Sequence, residues 1–288
     1  MSRPDEFSFI HRLRVRWAEV DAQQVVFNAH YLSYLDAAMS DYWREVGLPY
    51  PEGLLHVQGD LYMRANSMQY HAPARLDDWL EVGVRCERIG NSSLTMAWAV
   101  WAQGRLIVSG EAVYVLTSLA DRQPMRVPDS LRAQIEAHAS ERPVHSVRAG
   151  SWDEVGEAAR VVRKAVFVGE QGIPESEEWD EDDAEAVHVV ACNLAGLPLA
   201  TGRLIHVGQA NGAAKVGRMA VLRSSRGVGL GQLMLETLLE QARARQIQQI
   251  ALHAQVSAQG FYTRLGFRAE GPVFDEVGIP HQRMTLTL

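Results

Sequence analysis

The period of apolar and polar positions changes several times along the chain. Residues 8–17 alternate as a strand does. The stretch HYLSYLDAAMSDYWREVG (30–47) shifts to a helical repeat. Leu32, Leu35, Met39, Tyr42, Trp43 and Val46 fall near one face, and Gly47 suits the stop. Four strand-like runs follow, at 54–71, 79–89, 93–103 and 106–117. Gly90-Asn91 and Gln103-Gly104 supply turns between the last three, so the spacing predicts an antiparallel meander. A closing helix is expected over 127–138, opened by Pro-Asp. One long helix and a long meander make an α+β layer.

The polar stretch ASERPVHSVRAG (139–150) interrupts the pattern and is taken as a seam. After it a helix (152–168), an acidic loop (174–185) and strands (187–194, 198–207, 215–222) are expected. A helix (230–245), a strand (247–254), a short helix (257–265) and a strand (281–288) complete the chain. The expected domains are 1–140 and 146–288. A chain of 288 residues fits two domains.

Composition excludes some classes. Hydrophobic residues are 47% and charged residues 22%, as in soluble globular proteins. No window approaches the length of a membrane span. The opening MSRPDEFSF has no apolar core for a secretion signal. Cys86 and Cys192 lie far apart in apolar runs and read as buried free thiols, so the expected location is the cytoplasm and no metal site is expected. The net charge of −7 gives no case for nucleic acid, and neither nucleic acid nor membrane is expected as a partner. Eight acids and no base crowd into ESEEWDEDDAE (175–185). That loop is either simply solvated or draws a cationic amine. The only lysines are Lys164 and Lys215, so nearly all positive charge is arginine.

Three glycines stand behind an arginine in RGVGLG (226–231), between the strand-like KVGRMAVL and an apolar helix. No Gly-Lys-Ser/Thr ending follows, so this is not a P-loop, and its GxGxG spacing is not the dinucleotide fingerprint. A tight turn is one reading. The other is an anion cradle, since free amides and the dipole at a helix start favour negative charge and glycine lets the backbone come close. Arg226 adds a charged donor.

With GRMAVL before it and SAQGFYTRLGF (257–267) after it, this stretch resembles the GNAT N-acyltransferases over roughly 146–288. Arg226, Gly229 and Gly231 match the family's Gln/Arg-x-x-Gly-x-Gly/Ala signature. The resemblance implies that the loop Arg226, Gly227, Val228, Gly229, Leu230 and Gly231 holds the pyrophosphate of acetyl-CoA or another acyl-CoA. The backbone of Met219 and Val221 would pair with the pantetheine arm. Tyr262 would protonate the departing CoA thiolate. Beside that role stands the plainer reading of Phe261 and Tyr262 as core aromatics. The amine acceptor also needs a base; Glu170 and His188 are candidates, and neither is fixed by the motif.

The other dense stretch is RWAEVDAQQVVFNAHYLSYLD (16–36). Asp21 falls between the first strand and the long helix, with Asn28 and His30 at the helix start. A carboxylate beside free helix amides suits thioester hydrolysis: the amides polarise the carbonyl, and the acid activates water or attacks. The plain alternative is a loop acid and a helix-capping asparagine. Asp21 followed by VVFNAHYL resembles the hotdog thioesterases of the 4-hydroxybenzoyl-CoA type, over about 8–138 and including PARLDDWLEV (73–82). The resemblance implies a catalytic Asp21 with Asn28, His30 and Tyr31 around the thioester. It also implies a homo-oligomer built through this domain. Trp98 and Trp101 are either part of that contact or core. Many members have glycine where this chain has Gln24.

The expected fold is therefore α+β: an N-terminal hotdog, a long antiparallel sheet around a central helix, followed by a C-terminal GNAT α/β acyltransferase fold. The expected function is bifunctional. Asp21 serves thioester hydrolysis, and Tyr262 serves acyl transfer from coenzyme A to an amine. One alternative keeps only the transferase active, with the hotdog as an oligomerising CoA-ester binder. Another makes the chain a non-enzymatic acyl-CoA sensor or scaffold.

Overall fold

A computed structural model describes residues 3–207 and 213–288; Met1 and Ser2 of the opening stretch, and 208–212 within the second expected domain, lie outside them. The chain divides into two compact units, Met1–His145 with Asn193–Leu197, and Ser146–Cys192 with Pro198–Leu288.

In the first unit β1 (Phe9–Arg14) precedes the long helix α1 (His30–Glu45). A short helix α2 (Glu52–His56) leads into β2 (Gly59–Tyr70), β3 (Trp79–Ile89), β4 (Ser93–Ala102) and β5 (Arg105–Ser118), and α3 (Asp129–Ala139) closes the unit. The five strands are antiparallel in the order β1-β3-β4-β5-β2. One face of the sheet wraps α1. Tyr31, Tyr34, Leu35, Ala38, Met39 and Tyr42 of the helix are buried in one cluster with Leu80, Val82, Val84, Met96, Trp98 and Val100. Burying these large side chains is the main source of stability here, at about 1.5–3 kcal/mol for each fully buried Leu, Val, Met or Phe. The sequence expectation of a strand from residue 54 is corrected: 52–56 is helical and the strand begins at Gly59.

Trp98 and Trp101 are both 1% exposed. Trp98 belongs to the α1 core, and Trp101 packs on Phe7 across the other face of the sheet, with ring centroids 5.3 Å apart. They are core residues, not surface contacts. Gly110 on β5 is what admits Trp98, because a Cβ there would lie 2.6 Å from the indole. Gly110→Ala is expected to destabilise the chain by about 1–3 kcal/mol through overpacking, read as a lower denaturant midpoint with an unchanged slope.

The second unit opens with β6 (His145–Gly150) and α4 (Trp152–Arg163), which runs into a wide π-helical segment, Lys164–Glu170. Two single turns follow, α5 (Glu175–Glu178) and α6 (Asp182–Glu185). Then come β7 (Val187–Asn193), β8 (Pro198–Val207), β9 (Ala213–Val221), α7 (Leu230–Ala244) and β10 (Gln249–Gln255). The last elements are α8 (Gln259–Arg264), β11 (Arg268–Glu276) and β12 (Ile279–Thr287). The seven-stranded sheet has the order β11-β12-β10-β9-β8-β7-β6, and β9–β10 is a parallel pair. The sequence reading missed β6, which it placed in the seam, and β11.

The acidic stretch is not simply solvated. Glu178 and Asp183 are buried, and the Arg163 guanidinium between them is 0% exposed. Arg163 Nε donates to Glu178 Oε1 at 2.5 Å and Nη1 to Asp183 Oδ1 at 2.7 Å. Arg203 binds Asp180 and Asp183, and Arg218 reaches Asp180 Oδ2 at 2.8 Å. Trp152 and Trp179 cover Arg163, with its guanidinium carbon 5.3 and 4.8 Å from their rings. A buried charge must be paired, so part of the apparent acidity is matched by arginines distant in sequence. The two cysteines are free and only partly buried, another departure from the expectation, and burial pushes the Cys86 thiol up to about 11.

Candidate active sites

In the first unit Asp21 opens a tight loop. Its amide donates to Val25 O at 2.9 Å, its Oδ1 accepts from Gln23 N at 2.8 Å, and Val20 bridges Val26 behind it. Gln24 N donates to Asp21 O, with Gln24 at φ 65° in the left-handed region. That region favours glycine, which gives a backbone reason for glycine at this place in similar chains. Gln24→Gly is expected to stabilise the protein by about 0.5–1 kcal/mol, seen as a melting temperature a few degrees higher.

The loop is fixed from below by Glu19, which sequence reasoning did not single out. Glu19 is 5% exposed, accepts from Tyr34 Oη at 2.8 Å and from Arg16 N at 2.8 Å, and pairs with the Arg16 guanidinium. Burial pushes its carboxyl up, but these donors outweigh burial and hold it below the usual range. Its signal in the sequence was weak, an acid two residues before Asp21 among Trp17, Ala18 and Val20. Phe27 N then donates to Glu19 O, and His30 N to Phe27 O, which carries the chain from the Asp21 loop into α1. The start of α1 has no side-chain cap, so Asn28 is exposed and does not cap it. His30 is half-buried beside Phe27. Tyr31 turns inward: it is 3% exposed, packs on Tyr34 and Tyr70, and takes a backbone hydrogen bond from Ala74. Asn28 and His30 thus stand at the start of α1, Tyr31 follows them into the core, and Asp21 lies in the loop that precedes them.

Among the described residues of the second unit, β9 and β10 pair from Ala213/Gln249 to Val216/Leu252. Beyond that point β9 bulges against β8: Arg218 has φ 50°, and Arg218 and Met219 oppose the single residue Gly202. A Cβ on Gly202 would lie 2.6 Å from Met219 Sδ and 2.8 Å from Leu238 Cδ1, so both side chains would have to shift to admit one. The bulge and the end of pairing accompany a cavity of about 210 Å³, with Phe167, Met219, Leu252, His253, Tyr262 and Glu276 in its lining.

The glycine loop leads from β9 into α7. Gly227 (φ 93°) and Gly229 (φ 84°) are both left-handed, and no side chain would clash at either, so backbone conformation is what selects glycine. Among the described residues, none of the amides of 227–231 donates to the protein. Uncapped amides at the start of a 15-residue helix favour an anion. Arg226 donates through Nη1 and Nη2 to the two Glu170 oxygens at 2.8 and 2.7 Å, and through Nε to Val221 O at 3.1 Å. These bonds hold the Glu170 carboxyl below its usual range, and they occupy the base candidate. The other candidate, His188, is 1% exposed, bonds Asp183 O at 2.9 Å and packs on Trp152; it is a core histidine. Tyr262 sits between Phe261 and Phe267 and is 9% exposed, and burial pushes its phenol up to about 12. Among the described residues no group of three or more His, Cys, Asp or Glu side chains could hold a metal ion, and no helix is long and apolar enough to cross a membrane.

A helix wrapped by an antiparallel sheet, followed by a parting sheet with a glycine-led helix, defines a tandem of two acyl-thioester-handling folds. Residues 23–109 match the Thioesterase superfamily, and residues 169–288 match the Acetyltransferase (GNAT) domain. The uncharacterized N-acetyltransferase YjcF of Bacillus subtilis (strain 168) is 35% identical over 124 residues, 43% of this chain and 86% of the relative. A second protein of that strain, whose acetyltransferase description is itself provisional, is 39% identical over 127 residues, 43% and 84% of the two chains. The acyl-CoA thioester hydrolase YbgC of Escherichia coli O157:H7 is 26% identical over 125 residues, 43% of this chain and 92% of the relative. A solved thioesterase from Thermus thermophilus, complexed with coenzyme A and Zn, is 30% identical over 48% of this chain and 98% of its own, with a TM-score of 0.42. The chain belongs to the GNAT family through its second unit and joins to it a hotdog domain of the thioesterase superfamily. It is an enzyme of two parts, a hydrolase and an N-acetyltransferase.

Proposed function

We propose that residues 1–140 hydrolyse acyl-CoA thioesters and that residues 146–288 transfer an acyl group from acetyl-CoA or another acyl-CoA to an amine. One observation carries this reading: among the described residues α7 starts on amides that no protein group takes up, with Arg226 beside them, and Asp21 keeps one carboxylate oxygen without a protein partner in the loop that leads to α1. In the first site the Tyr31 amide, which among the described residues has no backbone acceptor, unlike those of His30 and Leu32, polarises the thioester carbonyl, and Asp21, with one oxygen unused in the loop, activates water or attacks the carbonyl. Asn28 and His30 line the entrance over Tyr31. The strand β2 is a sheet edge of 12 residues with exposed Tyr62, Met63 and Tyr70, which supports pairing with a second copy of the chain.

In the second site the amides of 227–231 hold the pyrophosphate, with Arg226 exchanging Glu170 for a phosphate oxygen. The backbone of Met219 and Val221 faces the pantetheine arm, and Tyr262 hands a proton to the thiolate. The acceptor is a small amine of little net charge. The acids at the cavity, Glu177, Glu178 and Glu276, are matched by Arg203, Lys215 and Arg218, which argues against a polycation. Both activities belong to a cytoplasmic enzyme in this reading.

The test is release of free CoA thiol from a panel of acyl-CoAs, with and without primary amines. Thiol released without amine supports the hydrolase, and amine-dependent release supports the transferase. Tight acyl-CoA binding with neither overturns the reading.

A further inference from the structure

Acetyl transfer leaves one step without a group. The acceptor nitrogen must lose a proton as it attacks, and the two candidates offered by the sequence are both engaged elsewhere. His253 is the imidazole that stands in the right place. It lies on β10 one residue past the last β9–β10 pair, where the strands part, and lines the cavity that Tyr262 lines. Its Nδ1 is 2.9 Å from Glu276 Oε2 on β11, and Phe274 packs on the ring at 4.9 Å.

Burial pushes the Glu276 carboxyl up. The His253 hydrogen bond and the charges of His253, His281 and Lys215 outweigh burial, and the carboxyl is held below its usual range. An ionised carboxylate at Nδ1 makes that nitrogen the protonated one and leaves the Nε2 lone pair as an acceptor. Among the described residues Nε2 has no hydrogen-bond partner. His253 has Glu276 of β11 at Nδ1 and Arg283 of β12 opposite it, and the charges that act on Glu276 beside it are Lys215 from β9 and His281 from β12. Arg283 is directly across the strand and is itself paired with Glu270 at 3.6 Å.

We propose that His253 is the general base of acetyl transfer and that Glu276 is its positioning residue; this rests on the acetyl-transfer reading above. The neutral amine attacks the thioester carbonyl carbon and a C–N bond forms. His253 Nε2 takes the proton from the attacking nitrogen. The C–S bond breaks, and the thiolate takes the Tyr262 proton. The imidazolium and the phenolate then exchange one proton through solvent, so the products are the amide and CoA thiol.

Wild type, His253→Gln and Glu276→Gln are compared as full chains with acetyl-CoA and three probe amines: 2-phenylethylamine, ethanolamine and glycinamide. Acetyl-CoA binding by calorimetry is expected to be the same within about twofold in all three proteins, since neither residue touches the glycine loop. Transfer is expected to fall about 10²-fold in His253→Gln, with the acid limb of the pH–rate profile lost. In Glu276→Gln kcat falls while the KM for acetyl-CoA holds, because Nδ1 loses the carboxylate that fixes its tautomer. Wild-type transfer and an unchanged acid limb in His253→Gln overturn the role of His253 and leave the transferase reading standing. If acetyl-CoA binds but no probe amine is acetylated, the ¹⁵N shifts of the His253 ring decide. A protonated Nδ1 that depends on Glu276 supports the assignment, and a protonated Nε2 overturns it. Absence of acetyl-CoA binding by wild type overturns the transferase reading itself.

Discussion

Asp21→Ala is expected to lower amine-independent hydrolysis of acyl-CoA by about 10³-fold, without loss of the fold. The separation of the two effects follows from what Asp21 holds. Its side chain makes one hydrogen bond, to Gln23 N, so removal costs about 0.5–1.5 kcal/mol at most. The loop keeps the Val20–Val26 bridge, the bond from Phe27 N to Glu19 O and the Glu19–Tyr34 contact. The start of α1 therefore keeps its conformation, with His30 N on Phe27 O and Leu32 N on Ala29 O. What is lost is the only acid in the loop that is not already committed, since both Glu19 oxygens accept from Arg16 and Tyr34. Circular dichroism and the melting temperature check the fold, and thiol release checks the chemistry. A variant that hydrolyses at the wild-type rate would assign the activity to another group. A variant that unfolds would make Asp21 a structural residue.

The elements with one buried face were legible in the sequence. The α1 period and the β3–β5 meander could be read because Leu35, Met39, Leu80, Val82 and Trp98 all answer to one core. The elements that escaped lack that signal. β6 is an edge strand with three exposed residues, and β11 is exposed along most of its length and broken by Gly271-Pro272, so neither has an apolar alternation to read. The first turn of the expected 54–71 strand failed for the opposite reason. Its apolar run Gly53-Leu54-Leu55 fits a helix as well as a strand.

The sites divide in the same way. The glycine loop and the Asp21 loop are local, so spacing exposed them. Arg163 with Glu178 and Asp183, Arg226 with Glu170, and His253 with Glu276 are pairings across 15 to 56 residues, and only the folded sheet brings their members together. That is why a stretch with eight acids read as a solvated or amine-attracting loop, when three of them are the counterions of buried or half-buried arginines.

Tyr262→Phe is expected to lower kcat for acyl transfer by about 10²–10³-fold while the KM for acetyl-CoA stays nearly constant. Phenylalanine keeps the ring between Phe261 and Phe267, so packing and the melting temperature are preserved. Only the hydroxyl is removed, and the hydroxyl matters when negative charge arrives on sulfur. A phenol at about 12 is a weak donor to a thiolate whose ordinary value lies near 8.5. From the buried phenol to a thiolate still at its value in water, that transfer would be uphill by about 5 kcal/mol at 1.36 kcal/mol per unit. The cavity reduces this gap, because the burial that raises the phenol also raises any thiolate formed beside it. In the proposed transfer the hydroxyl therefore acts late, as the C–S bond breaks and the charge is greatest, and not on the bound thioester. This is why kcat falls and KM does not. The same burial fixes the alkaline side of the profile. A phenol at about 12 stays protonated through neutral and mildly alkaline pH, so wild-type transfer should not decline below about pH 10 through loss of this proton. A decline centred near pH 8–9 that persists in Tyr262→Phe would belong to a different group. One that disappears with the hydroxyl would mean that Tyr262 ionises as an exposed tyrosine or more readily, and the buried donor would have to be abandoned.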